Sequence, residues 1–65
     1  MNLIEGLQQE MNRCRDLIKV YEEIGSAGAF GKMVIENSIK SGEAAIASGD
    51  VVAMVAAYQD LKQRE

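Results

Sequence analysis

The chain has no histidine, no proline, no tryptophan and one cysteine in 65 residues. Without histidine the usual general base at neutral pH is missing, and so are the Ser–His and Cys–His nucleophile pairs. A single cysteine builds neither a zinc site of the Cys and His type nor a disulfide within the chain. Basic charge is also scarce. Seven basic residues against ten acidic ones leave a net charge of −3, and no basic stripe tracks phosphates, so duplex nucleic acid is not an expected partner. No run approaches the roughly 18 apolar residues of a membrane span. The opening Met1-Asn2-Leu3-Ile4-Glu5 lacks the basic then apolar layout of a signal peptide. A soluble protein of a reducing cytoplasm is expected. There is no phosphate-loop or dinucleotide fingerprint and no strand to carry one. Glu22-Glu23, Glu36 and Glu43 read as solvated helix faces rather than paired catalytic carboxylates. Hence no catalytic residue, no metal and no cofactor is expected, and the chain is not read as an enzyme.

What is present is helical pattern. Apolar residues are 48% and charged residues 26%, ordinary for one globular domain spanning 1–65. Gly25-Ser26 and Gly49-Asp50 each set a glycine, able to take a left-handed helix stop, just before a good N-cap residue. They predict three helices over about 2–24, 27–48 and 51–63, folded back as two αα-hairpins, with Gly28 and Gly31 able to lengthen the first turn. The fold class is all-α.

Along the first helix Ile4, Leu7, Met11, Cys14, Ile18 and Tyr21 occupy every a and d position of three heptads. Leu3, Leu17 and Ile24 widen the stripe at g, and Val20 alone falls outside it. In the second helix Lys32, Glu36, Lys40 and Glu43 share a water-facing arc. The opposite arc is a spine of small residues, Ala27, Gly31, Ser38, Gly42 and Ala45, between Phe30 and Val34 on one flank and Ile35, Ile39 and Ile46 on the other. Glycine inside a helix costs up to ~1 kcal/mol relative to alanine. Close packing of another helix is the preferred reason for Gly31 and Gly42, with a break near Ser41-Gly42 and approach of a ligand as the rivals. The third helix places Val51, Met54, Val55, Tyr58 and Leu61 on its core stripe, leaving a Val52–Ala56 patch outside.

A chain of this length buries only about 60% of its unfolded surface, and small cores are marginal without metals, disulfides or association. Association is therefore expected: a homo-oligomeric helical bundle. Its interface would use Ile4, Leu7, Met11, Cys14, Ile18, Tyr21, Gly31, Gly42, Val52 and Ala56. Cys14 is read as a small buried hydrophobe, with a reactive or intermolecular thiol as the other reading.

One segment carries ligand chemistry. Ser26, Gly28, Phe30, Gly31 and Lys32 open the second helix, where free backbone N–H groups, a hydroxyl and an ammonium suit a phosphate and an aromatic ring suits a base. The competing account is an N-cap followed by close packing, with Phe30 in the core. Arg13, Arg15 and Lys19 sit among Asp16, Glu22 and Glu23, either as a charge-mixed solvated face or as part of an anionic-ligand pocket.

The stretch Gly28-Ala29-Phe30-Gly31-Lys32-Met33-Val34-Ile35, then Ala45 to Met54, then Ala57-Tyr58-Gln59-Asp60-Leu61 resembles short open reading frames of tailed phages and prophages. The resemblance covers roughly the last 38 residues and, more loosely, the first helix. It implies a bacterial cytoplasm during infection or lysogeny, where small acidic helical phage proteins block a host protein and others form oligomers that sequester cyclic-nucleotide immune signals. It carries no functional residue across. The expected function is a non-enzymatic, homo-oligomeric protein that binds a host protein. A sponge for a small nucleotide and a purely structural assembly factor are the alternatives.

Overall fold

The computed structural model describes residues 2–65; Met1, at which the expected domain begins, lies outside the described residues. Helix α1 runs Leu3–Ile24, α2 runs Ala29–Ser48 and α3 runs Val51–Lys62. The starts of α1 and α3 each have a local cause. Asn2 takes an extended backbone and its Oδ1 accepts the Glu5 N–H at 2.8 Å. Asp50 does the same for α3, accepting from the N–H groups of Val52 and Ala53 at 3.0 and 3.3 Å. Such caps satisfy donors that a helix start leaves without an intrahelical partner. Gly49, at φ 70°, closes α2 in the left-handed conformation that favours glycine.

The first junction is lengthened, as the glycines there allow, and its cap is not the expected one. Gly25 stops α1 at φ 82°, yet the chain continues at once through a short 3₁₀ turn, Gly25–Gly28, into α2. Ser26 does not cap the helix; the residue before α2 is Gly28, with no side-chain cap at all. The second helix thus starts at Ala29 rather than 27. It also runs unbroken through Ser41-Gly42, which removes the proposed break there.

The three helices run up, down and up, each packed on both others. The core draws equally on all three: Leu7, Met11 and Cys14 of α1, Ile35, Ile39 and Ala45 of α2, and Met54, Ala57 and Leu61 of α3. The α3 stripe is rotated from its expected position, because Ala57 turns inward while Val51 and Val55 stay exposed. Ser38, the one buried polar residue of α2, accepts from Arg64 Nε at 2.9 Å. The exposed surface is 4211 Å², close to the roughly 4,100 Å² expected of a compact single chain of this mass. The heptad seam is covered by this chain's own α2 and α3.

Helix length decides what is left uncovered. At about 1.5 Å per residue α1 is ~33 Å long and α3 only ~18 Å, for 22 and 12 residues. The molecule is 35 Å long, so α3 flanks little more than half of the α1–α2 pair.

Candidate functional site

At the start of α2 the glycines have a structural use. A Cβ at Gly28 would collide with the Tyr21 backbone carbonyl oxygen, and one at Gly31 with the Tyr21 ring, whose Cδ2 would lie at 2.7 Å. Both admit close passage of α1 past α2. The Lys32 ammonium donates to Glu22 Oε2 at 2.9 Å, and this bond to the carboxylate raises its pKa above the ordinary value. Its charge is thereby directed at α1 rather than at an incoming anion. Ser26 is exposed and caps nothing. Phe30 is the surprise: it is not in the core but 74% exposed.

The residues assigned to subunit contact divide into two groups. Leu7, Met11 and Cys14 are buried within the chain, Ile18 and Tyr21 pack against the same core, and Gly42 faces Met11 Sδ and Leu61 Cδ1. Gly31 faces Tyr21. All of these residues make contacts within the one chain. Ile4, Val52 and Ala56, in contrast, are exposed. Val52 reaches 78% exposure and its neighbour Val51 62%.

Charged groups are largely engaged with one another. The Arg13 guanidinium, held by Glu10 at 3.2 Å, donates to the carbonyls of Leu61 and Arg64 and so caps the C-terminal end of α3. Arg15 pairs with Glu43 at 3.7 Å, and Lys19 with Asp16 at 3.8 Å. An open cleft of about 360 Å³, with Met11 and Ile46 among its lining residues, is bordered by that Arg15–Glu43 pair. Cys14 donates its thiol toward the Leu61 carbonyl at 3.7 Å. Burial pushes its pKa up, against an opposing pull from Arg13. Among the described residues no group of three or more acidic, Cys or His side chains converges as a metal site, and no helix is long and apolar enough to cross a membrane.

What gathers is apolar surface, at two ends of the molecule. One patch is the outer face of α3, Val51, Val52, Val55 and Ala56, with Ile4 in the adjoining cleft that it lines with Asn2, Leu3, Val51 and Met54. The other is the far end of the α1–α2 pair, with Val20, Ile24, Phe30 and Met33. Sequence reasoning passed over the second patch, although Val20 gave its signal as the only apolar residue of α1 outside the heptad stripe.

The fold and its surfaces define a class, a small all-helical three-helix bundle with uncovered apolar faces. Compared with models of protein families, with curated proteins and with solved structures, the chain matches none.

Proposed function

We propose that this chain is a non-catalytic, self-associating accessory protein of phage or prophage type, which acts by binding a host protein in the bacterial cytoplasm. One observation carries the choice of protein binding. From Val51 to Ala57 α3 has seven consecutive apolar residues, yet only Met54 and Ala57 are buried. A helix that is apolar on all sides is ordinarily buried on all sides, and clustered exposed apolar residues mark interaction surfaces. A helix of a partner protein, with its own apolar stripe, suits the small and β-branched surface of Val52, Val55 and Ala56. Anchoring there would follow the groove-and-helix mode of recognition, in which side chains at i, i+3 and i+4 supply the contact.

The test is a photoreactive phenylalanine analogue at position 52, compared with the same analogue at Lys40 on the polar arc, in irradiated bacteria that express the chain. Position 52 should capture a discrete host polypeptide that position 40 does not. Equal or absent capture at the two positions would overturn the reading.

A further inference from the structure

The groove between α1 and α2 continues past the end of α3. Arg13 marks the flank of α1 that faces α3, since it donates to the carbonyls of Leu61 and Arg64 at 2.7 and 2.9 Å. Leu17, Val20 and Ile24 follow on that flank at helical spacing. On α2, Ser41 lines a cleft with Ala53, Ala56 and Ala57 of α3, and Asn37, Val34 and Phe30 precede it on the same flank. Helix α3 ends at Lys62, and the residues after it reach back to Tyr21, whose hydroxyl donates to the Glu65 carbonyl. Beyond that point Val20, Ile24 and Phe30 are 52, 56 and 74% exposed, with Met33 at the rim and Leu17 and Val34 half-buried beneath.

We infer that this tip groove docks a second copy of the chain, tip to tip about a two-fold axis, with Phe30 of each copy entering the groove of the other. The inference rests on the self-association proposed above and assigns it a surface. Three observations favour a second copy as the occupant. The same face carries both the protruding ring and the trough beside it, which an isologous contact requires. Leu17, Val20, Ile24, Phe30, Met33 and Val34 are all uncharged, so the net charge of −3 is carried by other parts of the surface and these side chains add no like-charge repulsion to the contact. The area also suffices. With side chains of this size class, the four exposed residues present on the order of 400 Å² per copy. Two copies with their rims cover ~1,000 Å², the lower bound of a specific interface. An aromatic and a methionine in an uncharged centre match the usual make-up of such interfaces. The dimer leaves the outer face of α3 free for a different protein.

Sedimentation equilibrium of the wild type, Phe30→Asp and Val52→Asp separates the possibilities. Wild type and Val52→Asp should both reach twice the 7.1 kDa chain mass at high concentration. Phe30→Asp should weaken association by ~30-fold or more, as loss of a central aromatic anchor does, while its far-UV circular dichroism matches wild type. In a dimer mixed from two isotope labels, cross-peaks should join Phe30 of one copy to Ile24 of the other. A wild type that stays monomeric up to about 1 mM, or a dimer abolished by Val52→Asp but not by Phe30→Asp, would overturn the tip contact. Loss of host-protein capture at position 52 with the dimer intact would instead sink only the host-binding reading.

Discussion

Tyr21 is the residue around which α1 and α2 are fitted. Its ring lies against Gly31, its carbonyl against Gly28, and its hydroxyl holds the Glu65 carbonyl. A methyl group at Gly31 must therefore displace a ring that is tied at its far end. Alanine restores up to ~1 kcal/mol of helix propensity, but overpacking costs about 1–3 kcal/mol. Gly31→Ala should lower stability by about 1–2 kcal/mol in urea denaturation. At Gly42 the nearest atom to an added Cβ is Met11 Sδ at 2.9 Å, and a thioether adapts by small torsional changes. Gly42→Ala should thus stay within about 0.5 kcal/mol of wild type. That two glycines inside a helix have a packing cause was legible in the sequence. That Tyr21 of the same chain is one cause was not, because the contact depends on how two helices cross.

Among the elements, α3 is the least secured by its own sequence, and its closing turn borrows a cap from α1. Arg13 is part-exposed at 40% of its side chain, so its bonds to the Leu61 and Arg64 carbonyls count for less than buried ones would. Arg13→Ala should cost about 1 kcal/mol and release amide-exchange protection first in the last turn of α3. Arg13→Lys should recover little, since a guanidinium reaches two carbonyls at once and an ammonium on a flexible stem does not hold that fork. Element boundaries were readable where their chemistry is local. Gly49-Asp50 signals its turn within four residues, because the Asp50 carboxylate meets N–H groups two and three positions on. Gly25-Ser26 misled because a glycine can end one helix without making the next residue a cap. The Arg13 contact spans 48 residues of chain, and no local pattern announces it.

At the scale of the whole molecule, Cys14 reports on closure of the bundle. It is 0% exposed and burial holds its pKa above the thiol's ordinary 9.0. The sign follows from which state ionises first. Above pH 9 the unfolded chain loses the thiol proton while the folded chain keeps it, so fewer protons are bound in the unfolded state and stability falls with rising pH. The Cys14 contribution should be flat below pH 9 and decline above it, and Cys14→Ala should remove that slope from the pH dependence of urea unfolding. All-helical architecture and a three-part chain were legible from the glycine punctuation and the heptad stripe. Which helices cover the α1 stripe was not. The heptads of α1 look like a seam for another chain, but Gly28, Gly31 and Gly42 draw α2 close enough for α2 and α3 to cover them.

The near absence of loops sets the tempo of the chain. Helix α1 passes into α2 through one 3₁₀ turn, and α2 passes into α3 through Gly49-Asp50. Ring closure for such short connections costs little entropy, and helical bundles dominated by local contacts fold in microseconds to milliseconds. Short connections thus let a hairpin of neighbouring helices form without a search for distant partners.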